Sequence, residues 1–163
     1  MDAVKNGRIE EAKRFSDQLD AHLYRNANQS ASASAIVSRR LADINVASLE
    51  LQGLIKAAEK KYPEAIVLLE TAWEKEHSLG YSEPPSYARP VLISLAEVHQ
   101  QAGDLDSAVT TYEKLLKKRP GTANGLWGLY KVYKQKGDTV KAAEYARKLN
   151  DAIAQGDKRL YPL

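Results

Sequence analysis

Three histidines, His22, His77 and His99, are the side chains best suited to metal binding or acid–base catalysis. A metal site on a helix needs a second histidine or a carboxylate at matching spacing, as in His-Glu-x-x-His, and the sequence has no such motif. It also has no cysteine, which excludes disulfides, thiolate nucleophiles and zinc sites built on cysteine. We therefore expect no catalytic residue, no metal ion and no cofactor.

Three closely spaced glycines, Gly121, Gly125 and Gly128, resemble the spacing of a phosphate-binding loop. Such a loop follows a strand and ends in Lys-Ser or Lys-Thr, and neither feature is present. We interpret these glycines instead as the start of a helix that carries small residues on two of its faces.

Basic side chains are concentrated in the last third of the chain. Residues 111–163 carry 12 basic and 5 acidic side chains, whereas residues 1–110 carry 12 basic and 16 acidic ones. A nucleic-acid site would gather these cations on one stripe with stacking aromatic residues, but they are spread along the sequence, so nucleic acid is not favoured. A solvated surface is the preferred interpretation and an acidic protein partner the second. No run approaches the ~18 apolar residues of a membrane span.

The elements that position these residues are helices. Apolar residues recur at spacings of three and four, as in Leu92, Leu95 and Val98, which is the period of an amphipathic helix. Glycine and proline interrupt this pattern at short intervals. The pattern predicts an all-α fold with helices at 8–24, 32–59, 63–78, 87–102, 105–118, 122–136 and 139–153.

The sequence repeats itself after 34 residues. This shift places Leu95 on Leu129, Gly103 on Gly137 and Ala108 on Ala142. A 34-residue helix-turn-helix period is typical of the tetratricopeptide repeat, and the chain resembles that family at these positions. The resemblance implies an α-α superhelix, a solenoid of antiparallel helical hairpins that bind other proteins.

The segment from Tyr81 to Pro90 resembles a Tyr-x-Glu-Pro-Pro linker between the hairpins of bacterial tetratricopeptide proteins. We expect its prolines to stiffen the chain and to fix the angle between hairpins, although its tyrosines could also contact a partner. A less regular copy of the repeat has Gly53, Ala65 and Leu69 at its packing positions. The expected layout is a half repeat at 1–30, an irregular repeat at 31–79, a linker at 80–88, repeats at 89–121 and 122–154, and a tail at 155–163.

The family's geometry implies a concave groove lined by the first helix of each repeat. It would bind a protein or peptide partner, and Trp127 would be its rigid anchor. Alternatively, Trp127 fills the joint between repeats. The family's lysine and asparagine pattern for C-terminal carboxylates is absent. The groove residues implied are Glu50, Ile93, Glu97, Gln100, Gln101, Asn124, Trp127, Lys131, Lys134 and Gln135.

The two ends of a solenoid require covering. The half repeat at 1–30 lacks its first helix, so we expect a C-terminal fragment of a longer protein and self-association at this open end. We expect Leu160 to Leu163 to fold over the last helix. The first residues do not resemble a signal peptide, and cytoplasm and bacterial periplasm both remain open. The sequence thus predicts a non-catalytic interaction scaffold, with an anionic-surface binder or a self-association module as alternatives.

Overall fold

The computed structural model describes residues 1–26, 35–80 and 89–154 of the chain. This described part contains helices and no strand, which confirms the all-α fold class. The linker from Tyr81 to Ala88 and the tail from Leu160 to Leu163 lie outside the described residues.

The helices follow the predicted order, with one addition. All seven predicted helices are confirmed, and only the predicted starts at 32 and 87 lie outside the described residues. A short N-terminal helix, α1, was not predicted; at four residues it shows no helical period. The helices are α1 Asp2–Lys5, α2 Ile9–Asn26, α3 Ala35–Ala58, α4 Tyr62–Ser78, α5 Val91–Gln101, α6 Leu105–Lys118, α7 Ala123–Gln135 and α8 Thr139–Ala152.

A repeated Gly-Asp turn starts the second helix of each regular hairpin. Gly103 and Gly137 have φ of 82° and 76°, a conformation that glycine adopts without strain. The following aspartates cap α6 and α8, because Asp104 Oδ1 accepts a hydrogen bond from the Ser107 amide at 3.1 Å and Asp138 Oδ1 accepts one from the Lys141 amide at 2.9 Å. Hydrogen bonds from the side chain and the backbone amide of Ser107 lower the pKa of Asp104.

The chain divides into two compact units, Met1–Ser94 and Leu95–Leu163. In the first unit, α3 packs against α2 and α4. A Cβ added to Gly53 of α3 would lie 2.7 Å from Leu69 Cγ and 3.2 Å from the Ala65 carbonyl oxygen of α4. The two backbones therefore approach closely at the small residue, as the repeat pattern predicts.

Polar side chains join α3 to the helices on both of its sides. Ser48 is buried and donates a hydrogen bond to Asp20 Oδ1 of α2 at 2.5 Å, and Gln52 donates to the same carboxylate. Glu50 is fully buried and accepts a hydrogen bond from Ser94 of α5 at 2.5 Å. Buried serine hydroxyls thus connect α3 to α2 and to α5.

The second unit packs its helices around small residues of α7. Gly128 is buried beside the ring of Tyr112 from α6, so the two helices approach closely there. A cluster of Leu126, Leu149 and Ile153 fills the space between α7 and α8. The glycines that resembled a phosphate loop thus serve helix packing at Gly125 and Gly128.

The carboxylate of Glu59, just after α3, is expected to titrate far below its usual range. Lys61 and then Lys13 of α2, with ammonium-to-carboxylate distances of 2.9 and 3.0 Å, lower the pKa of Glu59 to about 2. Because the pKa of Glu59 is lower in the folded chain than in the unfolded one, its ion pairs stabilise the folded state. This stabilisation is complete above the unfolded pKa and is lost as the pH falls towards about 2. Carboxyl-carbon NMR should give a Glu59 midpoint near that value.

The Lys61→Gln variant should raise that midpoint, whereas Lys60→Gln, which removes a neighbouring charge, should leave it largely in place. High salt should also raise it, because the ion pair is at the surface. A wild-type midpoint in the ordinary range of glutamate would show that the three side chains do not pair in solution.

Candidate functional site

Helix α7 has one buried face and one polar face. The buried residues recur at spacings of three and four: Gly125, Leu126, Gly128, Leu129, Val132 and Tyr133. The opposite face carries Trp127, Tyr130, Lys131 and Lys134 at positions i, i+3, i+4 and i+7, which lie in one row along a helix. We call these four residues the aromatic–lysine stripe.

The rings and ammonium groups of the stripe contact one another. The rings of Trp127 and Tyr130 are stacked, with centroids 5.2 Å apart and planes inclined by 26°. Lys131 Nζ lies 5.8 Å from the centre of the Trp127 ring, and Lys134 Nζ lies 5.6 Å from that of Tyr130. Lys134 also donates a hydrogen bond to the Tyr130 hydroxyl at 3.4 Å. Each exposed cation–π contact contributes about 0.5–1 kcal/mol, so the stripe is partly ordered before any partner binds.

Trp127 is only partly exposed. Its side chain packs against the cluster of Leu126, Leu149 and Ile153 inside the last hairpin. The indole therefore contributes to the core on one side and to the surface on the other. Leu126, Leu149 and Ile153 belong to one hairpin, so a role of Trp127 between repeats stays a prediction.

The second unit also brings the end of α5 to α7. The side chains of Gln100 and Gln135 are joined by a hydrogen bond of 2.9 Å. Glu97 is partly exposed on α5, and Gln101 is exposed one turn later. We call the combined surface of these helices the α5–α7 surface, whose residues are Glu97, Gln100, Gln101, Asn124, Trp127, Lys131, Lys134 and Gln135.

Two residues expected to face a partner are buried. Glu50 is fully inaccessible, because α3 lies between other helices and its carboxylate accepts the Ser94 hydrogen bond. Ile93 is 3% exposed, because α5 is enclosed on every face from Val91 to Ala96. The expectation that a partner reaches Glu50 and Ile93 is therefore wrong.

Tyr130 is the stripe residue that sequence reasoning missed. It lies where Ala96 stands in the preceding repeat, a position that packs helices closely when it is small. Tyr130 is three residues after Trp127 and four before Lys134, and this spacing alone predicts that it lies on the same side of the helix as they do.

A second pair of stacked rings lies at the interface of α7 and α8. Tyr133 and Tyr145 have centroids 5.5 Å apart, with Lys141 and Lys148 over the two rings at 4.8 and 5.0 Å. Lys141 donates a hydrogen bond to the Tyr133 hydroxyl, which raises the pKa of Lys141, and burial raises the pKa of Tyr145. This arrangement stabilises the last hairpin.

One of the three histidines is buried and two are exposed. His99 is buried, with Nδ1 3.6 Å from Asp104 Oδ2, whereas His22 and His77 are exposed on α2 and α4. In residues 1–26, 35–80 and 89–154, no three histidine, aspartate or glutamate side chains gather as metal ligands would. In the same ranges, no helix combines the length and apolarity that crossing a membrane requires.

Comparison with known proteins identifies one repeat. A family model described as tetratricopeptide repeat matches residues 91–122, which include α5 and α6. The chain therefore contains a tetratricopeptide repeat. This repeat suggests a protein–protein interaction module, and its family is generally non-catalytic. Among curated proteins, no match to the chain is found.

Proposed function

We propose that the chain is a non-catalytic interaction scaffold that binds a partner protein or peptide on the α5–α7 surface. The observation that carries this proposal is the ordered, partly exposed indole of Trp127 on the polar face of α7. The tetratricopeptide repeat at residues 91–122 supports the same class of function, because its first helix, α5, supplies part of that surface.

Trp127 has the properties of a binding anchor. Tryptophan side chains dominate many interfaces, since they offer a large apolar area together with a hydrogen-bond donor. The Trp127 ring already stacks on Tyr130 and packs on the cluster of Leu126, Leu149 and Ile153, so little conformational entropy remains to be lost on binding. Around it, Asn124 and Gln135 are exposed on α7, and the Gln135 amide is hydrogen-bonded to Gln100 of α5.

The proposal assigns no reaction to the chain. Function is argued from a site, and the α5–α7 surface carries amides, lysines and aromatic rings. Binding of nucleic acid or another anionic surface through the basic last third is the alternative, favoured by its excess of positive side chains. Self-association at the N-terminal end stays a prediction.

Truncation of the anchor tests the proposal. We expect Trp127→Ala to reduce partner capture from lysate, quantified by mass spectrometry, by about tenfold or more, since removing an anchoring tryptophan typically costs about 2 kcal/mol or more of binding free energy. The matched control is Trp73→Ala on α4, which removes an equally large side chain that stacks on His77. Circular dichroism must show that both variants remain helical.

Capture lost in both variants to the same extent would indicate general destabilisation. In that case Tyr130→Ala provides the decisive comparison, because Tyr130 belongs to the stripe but not to the core cluster. Capture unchanged in every folded stripe variant would place the binding surface elsewhere and contradict the proposal.

A further inference from the structure

Two lysines of the stripe contact aromatic rings. Within residues 1–26, 35–80 and 89–154, neither Lys131 nor Lys134 forms an ion pair, and their contacts are the rings and the Tyr130 hydroxyl. Two other lysines of the same unit do form ion pairs, Lys136 with Asp106 and Lys148 with Glu144, the latter at 2.6 Å. The stripe is thus a local positive charge that the described chain leaves uncompensated.

The spacing of these two lysines restricts which pairs of carboxylates can bind them. Lys131 and Lys134 are three residues apart on one helix, which places their Cβ atoms about 5–6 Å from each other. Beside them lie the stacked and partly exposed rings of Trp127 and Tyr130. An extended peptide advances about 3.3 Å per residue, so carboxylates two residues apart span about 7 Å, a distance that flexible lysines accommodate.

An acidic peptide fits this surface better than a nucleic acid. Phosphate backbones are bound by long rows of cations, whereas the stripe offers two lysines on one helix, and Lys136 at the end of that helix already pairs with Asp106.

We propose, building on the function proposed above, that the partner binds the stripe with an extended acidic segment. Two aspartate or glutamate side chains, two residues apart, pair with Lys131 and Lys134. An apolar or aromatic side chain beside them lies on the rings of Trp127 and Tyr130. The ion pairs set the specificity and the rate of association, and the ring contact supplies much of the affinity.

Selection from a random peptide library tests this chemistry directly. Displayed short peptides are selected on the immobilised full chain, and the enriched sequences are synthesised with and without Asp→Asn and Glu→Gln replacements. We expect enrichment of acidic residues next to an aromatic or aliphatic one. Amide replacement in the peptide, or the double variant Lys131→Gln, Lys134→Gln in the protein, should weaken binding by about tenfold and reduce its dependence on salt.

The control is the double variant Lys136→Gln, Lys148→Gln. It removes the same net charge from the same unit, but from lysines that already have partners, so affinity should change by less than about twofold. Equal losses in both double variants would mean that only overall charge matters and would overturn the proposal. Equal displacement of the peptide by an oligonucleotide or by polyphosphate would also overturn it, in favour of a general anion-binding surface.

The outcomes separate this inference from the proposed function. Peptides that bind through Trp127 but lack acidic residues would refute the acidic segment and leave the interaction scaffold standing. A selection that enriches no peptide, together with protein capture that is insensitive to Trp127→Ala, would refute both.

Discussion

Gly128→Ala should destabilise the second unit by about 2–3 kcal/mol, although alanine favours helices over glycine by about 1 kcal/mol. A Cβ at this position would lie 2.2 Å from Cζ and 2.3 Å from Cε1 of Tyr112, a residue that is only 1% exposed. The steric cost therefore exceeds the gain in helix propensity. Thermal and urea unfolding followed by circular dichroism should show the loss.

Gly125→Ala on the same helix is the matched control. There the added Cβ would meet Leu116 Cδ2 at 2.9 Å, the end of a flexible and only partly buried side chain, so the change should stay within about 1 kcal/mol. In the double variant Gly128→Ala, Tyr112→Leu, the smaller side chain should recover part of the loss. Equal destabilisation by the two glycine variants would show that the Tyr112 ring does not limit the approach of α6 and α7.

Ser94→Ala should destabilise the first unit by about 2–3 kcal/mol. Ser94 is fully buried and donates a hydrogen bond to the fully buried carboxylate of Glu50. The substitution creates almost no cavity, but it removes a hydrogen bond to a buried acceptor that water cannot replace. Urea unfolding at neutral pH measures the change.

Ser48→Ala provides the comparison for that result. Ser48 is also buried and donates to a carboxylate at 2.5 Å, but its acceptor, Asp20, is exposed to solvent. Water can take the place of the lost donor, so the expected cost is only about 1 kcal/mol. If the two serine variants lost equal stability, burial of Glu50 would not be the source of the larger effect.

The repeat pattern predicted the local structure well, because each hairpin depends on short-range features. Gly103 and Gly137 mark turns whose positive φ requires glycine, and Gly53 and Ala108 lie where helices pack closely. Helix positions followed from the spacing of apolar residues. These features are set by neighbouring residues, so one sequence is sufficient to locate them.

The site was less predictable, because exposure depends on what packs around a helix. Glu50 was assigned to the groove from the geometry of a regular repeat, but its own copy is irregular, and its carboxylate meets Ser94 instead of solvent. Ile93 was misplaced because a helix enclosed on all faces shows no polar side in its first turns. The spacing of apolar residues indicates which face of a helix is buried. It does not indicate when a polar residue such as Glu50 will be buried by neighbouring helices.

The buried hydrogen bond between Glu50 and Ser94 also limits how the molecule can be divided. Repeat arrays are usually shortened one hairpin at a time, because each unit contacts only its neighbours. Here α3 shares polar contacts with α2 on one side and with α5 on the other. A truncation after α4 would remove Ser94 and expose the carboxylate of Glu50 in an apolar surface, and a truncation before α3 would uncover Leu51 and Ile55. For protein engineering, α5 therefore has to stay together with α3 and the helices that α3 contacts.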